Sequence, residues 1–180
     1  MKTANVLQLV SLSLVFFVLS CKDKAPLGTE NGNNPESINT VALAGTNLAF
    51  ANNETTLVFE NYILLANALT KSDLEGVKQA SVDLASLSGD ASLGNYKEVA
   101  ALIGTSNDLE SQRMLFSELT TVLEPIIKNQ LEKGTVYKQY CPMAFNNDGA
   151  YWFSAEAEIR NPYFGSKMLR CGSVAETFEN

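Results

Sequence analysis

The sequence runs to 180 residues with 46% hydrophobic content, 20 acidic against 13 basic residues and a formal net charge of −7. That balance excludes nucleic acid as a partner, because such binding needs a basic face. Histidine is absent altogether, which removes the commonest general base and the commonest metal ligand together.

In chain order, Met1 to Asn5 carries one positive charge, Lys2, and Val6 to Leu19 is an apolar run closing on Ser20 and Cys21. This is the layout of a secretory signal, and the run is shorter than the roughly 20 apolar residues a membrane span needs. A cysteine directly after the small residue, in Val18-Leu19-Ser20-Cys21, predicts a bacterial lipoprotein with residues 1–20 as signal and Cys21 as the lipidated first residue. An ordinary secretion signal with an incidental cysteine is the alternative. On the lipoprotein reading the destination is the cell envelope, facing the periplasm or the cell surface, with lipid on Cys21 as the link to the membrane. Residues 21–53 are rich in Gly, Asn, Pro and Ser in their first half and read as a tether. Lys22-Asp23-Lys24 is either a sorting signal or the solvated start of that tether.

Residues 54–134 show helical periodicity in four segments. Thr55 to Leu69 sets Val58, Tyr62, Leu65, Ala66 and Leu69 on one face. Ser72-Asp73-Leu74-Glu75 reads as a capping box with Ser72 as the cap, opening a helix whose stripe is Leu74, Val77, Ala80, Leu84 and Leu87 and which Gly89 stops. Leu93 to Ile103 forms a shorter helix ended by Gly104. Asn107 with Glu110 repeats the capping pattern and starts the longest segment, with Leu109, Phe116, Leu119, Leu123 and Ile127 inward; Pro125 is expected to kink it or end it early. Short connections of two to six residues imply antiparallel neighbours. The fold class is therefore mainly α: an up-and-down four-helix bundle with a small C-terminal β-hairpin, α+β overall. Asp108 and Glu110 are explained by the helix dipole rather than as a catalytic pair, and Arg113 is placed to brace the C-terminal segment by an ion pair.

After Gly134 the pattern changes. Thr135 to Tyr140 and Ala150 to Ser154 are β-branched and aromatic, with Asn146-Asn147-Asp148-Gly149 as a turn between them. The hairpin carries Cys141-Pro142-Met143 at the end of its first strand, and Lys167 to Cys171 forms a last short strand or turn. Residues 135–180 thus pack on the bundle as part of the same domain. Tyr137 to Gly172 concentrates the chemistry: Cys141 and Cys171, the only cysteines besides Cys21, with Met143 and Met168 close by, and half of the chain's aromatic residues.

Tyr140-Cys141-Pro142-Met143, Gly149-Ala150-x-Trp152, Asn161-Pro162-Tyr163-Phe164-Gly165 and Met168-Leu169-x-Cys171-Gly172 together resemble a bacterial envelope domain family of unknown function. Its members occur as lipoproteins and appended to periplasmic adaptor subunits of copper, silver and other heavy-metal efflux systems. Arg113 and Phe116 fall where that family has an Arg-x-x-Phe pattern. The resemblance implies a soft-metal module that works with an efflux adaptor. Its Cys-Pro-Met is similar to the core of another heavy-metal motif that continues with histidine; here Ala144 follows.

Two readings of the sulfur set stand side by side. Thiolate and thioether ligands suit Cu(I) or Ag(I), making Cys141, Met143, Met168 and Cys171 a metal site. In an oxidising compartment two neighbouring thiols instead become a disulfide, and closing the Cys141–Cys171 loop contributes roughly 3 to 4 kcal/mol in the chain-entropy model. A site that binds Cu(I) when reduced and is a disulfide otherwise joins the two. If the cysteines only staple the segment, the chain is a structural or interaction module with Trp152, Tyr163 and Phe164 as contact candidates. A thiol enzyme is disfavoured, since no histidine activates Cys141 and no second cysteine lies two residues away.

Overall fold

The structure, a computed structural model, describes residue 43, residues 46–88 and residues 94–180. All of them lie in the compact unit Ser37–Asn180. The signal segment, Cys21, Lys22 to Lys24, Gly89 and Leu93 lie outside the described residues.

The elements run β1 (Ala49–Phe50), α1 (Asn53–Lys71), α2 (Leu74–Ser86), α3 (Tyr96–Thr105), α4 (Leu109–Gln130), β2 (Leu131–Lys133), β3 (Thr135–Cys141), one turn over Ala144–Asn147, β4 (Ala150–Ser154), a 3₁₀ turn (Gly165–Lys167) and β5 (Ser173–Glu179). The fold is α+β. Each helix follows its neighbour in packing, α1 on α2, α2 on α3 and α3 on α4, and α1 also touches α4. Most of each expected stripe is buried: Val58, Tyr62, Leu65, Ala66 and Leu69 of α1, Val77, Ala80 and Leu84 of α2, Val99 and Ile103 of α3, and Phe116, Leu119, Leu123 and Ile127 of α4, while Leu74, Leu87 and Leu109 are only partly buried.

Helix boundaries depart from expectation where a better cap exists one residue away. Asp73, not Ser72, caps α2, its carboxylate accepting from the Gly76 amide, while Ser72 adopts the left-handed conformation that closes α1. Asp108, not Asn107, caps α4 by accepting from the Ser111 amide and hydroxyl, bonds that hold its carboxyl below the usual range. Asn52 caps α1 through the Thr55 amide at 2.7 Å. Gly104 lies inside α3, which continues to Thr105. Helix α4 passes through Pro125 to Gln130, so the proline does not end it. The connection between α2 and α3 covers residues 87–95, longer than expected.

The tether expected over 21–53 stops short of that bound. Leu43 and Phe50 are buried, and β1 pairs antiparallel with β2, so the end of this stretch belongs to the fold. The other missed strand is β5. It pairs with β3 from Thr135↔Glu179 to Tyr140↔Ser173, giving a three-stranded antiparallel sheet of order β4-β3-β5.

Side chains alternate between the faces of that sheet. One face carries Val136, Lys138, Phe153 and Phe178 toward the helices, with Phe153 against Tyr62 at 5.8 Å and Lys138 paired to Glu124 of α4. The other face carries Gln139, Cys141 and Trp152 and is covered by residues 155–172.

Candidate functional site

The site is built from the sheet outward. Cys141 ends β3, in register with Ala150 of β4, and its side chain is fully buried. Cys171 closes a turn in which its amide donates to the Met168 carbonyl at 3.0 Å. The two Sγ atoms come to 3.3 Å, both as free thiols. The thiol contact with Cys141, followed by desolvation, pushes the Cys171 thiol up, because a hydrogen-bonded or buried thiol resists losing its proton.

What brings Cys171 there is a buried amide. Asn161, with no exposed surface, donates through Nδ2 to the Cys171 carbonyl at 2.7 Å, and its Oδ1 accepts from the amides of Tyr163 (2.8 Å) and Phe164 (3.3 Å). Asn-Pro here is an Asx turn whose side chain also pins a strand-distant carbonyl. Gln139 does similar work from the sheet, donating to the carbonyls of Glu156 and Glu158. Gly172 follows with φ of 138°, where a Cβ would stand 2.7 Å from the Tyr140 carbonyl oxygen and 2.9 Å from Trp152; only glycine permits this approach of backbone to strand.

The cover over the dithiol is tied to the helices by aromatic rings and one arginine. Tyr163 meets Trp152 edge-on at 5.9 Å, Phe145 at 5.3 Å and Phe116 at 6.0 Å. Arg113 donates through Nε to the Pro162 carbonyl and through Nη2 to Ser72 Oγ, both at 3.0 Å. The brace expected of Arg113 exists, but it is made of hydrogen bonds to a carbonyl and a hydroxyl rather than of an ion pair. Two tyrosines cap the open edge of β4: the Tyr163 hydroxyl donates to the Tyr151 carbonyl, and the Phe153 amide donates to the Tyr62 hydroxyl at 3.1 Å. Burial pushes both phenols well above their ordinary range.

The predicted residues divide. Cys141 and Cys171 meet. Met143 is 47% exposed, and Met168 is half-buried in the turn before Cys171. Among the described residues no three of His, Cys, Asp and Glu gather as a metal cluster. Two thiols alone fit a soft ion at low coordination number, and an exposed thioether two residues away is a weak third donor. Trp152 (2% exposed) and Tyr163 (5%) are not contact surface; they are consumed by the cover and the edge cap, and of the three aromatic candidates only Phe164 keeps partial exposure. The residues missed as site-builders are Asn161, Gln139 and Tyr62. An Asn before Pro in a chain segment ending at a cysteine was the available signal for the first; polar residues at strand and helix positions facing the core carry no signal of their own.

Fold and site together define an α+β unit whose β face holds a dithiol under a cover fixed by buried amides. A family model described as a protein of unknown function, DUF3347, matches residues 58–134, less than half of the chain. That span covers α1 from Val58 onward, α2 to α4 and β2, and the segment holding Cys141, Asn161 and Cys171 lies beyond it. Two curated plant proteins are similar at low identity: the glyoxysomal fatty acid beta-oxidation multifunctional protein MFP-a of Brassica napus, 29% identical over 134 residues, and the peroxisomal fatty acid beta-oxidation multifunctional protein MFP2 of Arabidopsis thaliana, 28% identical over 134 residues. Each match covers 71% of this chain but only 18% of the relative's length. No solved structure gives a significant match. No helix among the described residues is long and apolar enough to cross a membrane.

Proposed function

We propose that this chain is a non-enzymatic structural or interaction module of the bacterial cell envelope, anchored to the membrane by lipid on Cys21, whose C-terminal segment is stapled by a Cys141–Cys171 disulfide. The observation that carries the staple is the 3.3 Å approach of the two sulfurs. Cys141 is held by the backbone register of β3 and Cys171 by Asn161, so oxidation needs the sulfurs to close only from 3.3 Å to a bond length of about 2.05 Å. We read the helical part as an up-and-down four-helix bundle that serves as the platform for this segment. The envelope assignment rests on the leader sequence and on the resemblance to lipoproteins and efflux-adaptor domains.

A second reading keeps the same residues in another redox state. Reduced, the two thiols form a binding pair for Cu(I) or Ag(I), with Met143 and Met168 as accessory donors, and the chain acts as an efflux-accessory protein that passes the ion to a periplasmic adaptor. The absence of histidine from the sequence favours such a soft ion over zinc. Because Cys171 holds its proton, metal binding would release protons and weaken as pH falls. Competition with a Cu(I) chelator on the reduced chain separates the readings. The staple reading expects weak binding that Met168→Leu leaves unchanged. Tight binding lost in both Cys141→Ser and Met168→Leu, in protein isolated with free thiols, replaces it with the metal reading.

A further inference from the structure

Helix α1 carries a second face that the core covers only in part: Leu64 and Ala68 are half-buried against it, and Lys71 is exposed. Opposite the stripe Val58, Tyr62, Leu65 and Leu69, the residues Leu64, Asn67, Ala68 and Lys71 follow one another at helical spacing and line one wall of a cleft of about 400 Å³. The facing wall is the end of β4 and the residues after it, Trp152 to Glu156, with Arg160. A cleft of that size lies within the roughly 300–1,000 Å³ range of small-molecule sites.

Its polar groups are uncommitted. Lys71 and Arg160 have no ion pair or side-chain hydrogen bond among the described residues, whereas Lys78, Lys128, Lys138 and Arg170 are each paired to a glutamate. The Asn67 amide has no partner there either, and the Ser154 hydroxyl accepts from the Glu156 amide and keeps its own proton to give. Two carboxylates share the cleft. Asp73 accepts from the Gly76 amide at the start of α2, where the helix dipole offsets its charge. Glu156 remains, and in a chain of net charge −7 it disfavours polyanions.

We propose that this cleft binds a small organic acid: one carboxylate toward Lys71, Arg160, Asn67 and Ser154, and an apolar body along Leu64 and Ala68. The proposal is independent of the dithiol and survives either reading of it. The test is calorimetric and NMR titration of the full chain with 3-phenylpropionate, and with 3-phenylpropanol, 3-phenylpropylammonium and inorganic phosphate as comparisons. Saturable binding of the carboxylate alone is expected, with amide shifts confined to Leu64–Lys71, Trp152–Glu156 and Arg160. Exposed charge pairs are individually weak, so Lys71→Met and Arg160→Gln should each weaken binding about 1.4- to fivefold and together about two- to thirtyfold. Both residues are exposed, so an unchanged melting temperature is expected for each variant. Absence of saturable binding, equal binding of the alcohol, preference for phosphate, or an unaffected double variant would each overturn the proposal.

Discussion

The dependence of the sheet on the helices can be tested at one hydroxyl. Tyr62 is fully buried on α1 and sits in a chain of hydrogen bonds. The Phe153 amide donates to the Tyr62 hydroxyl at 3.1 Å, that hydroxyl meets Thr120 Oγ1 at 2.8 Å, and Thr120 donates to the Phe116 carbonyl at 2.9 Å. Because the threonine proton is used on Phe116, the tyrosine must donate to Thr120 and accept from β4. Tyr62→Phe keeps the stacking on Phe116 at 4.9 Å but removes both bonds and leaves the Phe153 amide buried at the edge of a sheet with no acceptor. A net hydrogen bond is worth about 1 kcal/mol and an orphaned buried donor costs about 1–3 kcal/mol, so a loss of about 2–4 kcal/mol is expected. For a domain of this size, that corresponds to a fall in melting temperature of roughly 6–15 °C. Urea unfolding followed by tryptophan fluorescence should show the loss without a change in m-value, since Trp152 sits beside the affected amide in β4. A loss under about 0.5 kcal/mol would refute the reasoning, because it would mean that water or another group already serves the β4 edge.

Three further outcomes follow from the site. Asn161→Ala removes three hydrogen bonds from a fully buried position and should cost about 2–4 kcal/mol, with amide exchange at Tyr163, Phe164 and Cys171 accelerated more than exchange in α2 or α3. Gly172→Ala places a methyl group against the Tyr140 carbonyl, and since the obstacle is backbone, about 2 kcal/mol or more should be lost; a neutral result by thermal melting would contradict the close approach. The reduced protein should also respond to alkali. Cys171, Tyr62 and Tyr163 have folded pKa values raised above their unfolded ones, so their contribution is complete below the unfolded thiol value of about 8.5 and is lost as pH rises through the folded values. Alkylation of Cys171 against pH should give a midpoint above that of an ordinary thiol, moving down in Cys141→Ala, where the largest cause of the shift is gone.

Much of the fold was legible because it follows from periodicity. Val58, Tyr62, Leu65 and Leu69 repeat at helical spacing, and Thr135 to Tyr140 with Ala150 to Ser154 alternate around a turn of Asn, Asp and Gly, so four helices and a hairpin could be placed from pattern alone. Caps slipped by one residue because Ser72 and Asp73, or Asn107 and Asp108, are chemically equivalent candidates, and only backbone geometry selects between them. Strand β5 was hidden: Ser173 to Glu179 has one buried residue, Phe178, and an exposed edge strand leaves no alternating signature. Strand β1 was hidden by its length, two residues in a segment whose composition reads as linker. At the site, the sequence put Cys141 and Cys171 on one segment, while their meeting depended on Asn161 spanning from an Asx turn to the Cys171 carbonyl, a long-range bond with no local pattern. Trp152 and Tyr163 looked like a surface because aromatics suit interfaces, yet the same rings are what a small sheet needs to seal against a helical layer.

The most direct test of the central claim is the covalent state of the two cysteines in protein isolated from the cell envelope with its thiols blocked at lysis. Trypsin cuts after Lys138, Arg160 and Arg170, so a disulfide joins the fragment Gln139–Arg160 to the fragment Cys171–Asn180. The loop it closes spans 30 positions, and the chain-entropy model gives it about 3.5 kcal/mol. The staple reading predicts that mass spectrometry finds this joined species in nearly all of the protein, and that reduction lowers the melting temperature. Two blocked thiols in the isolated protein, with no joined species, would contradict it.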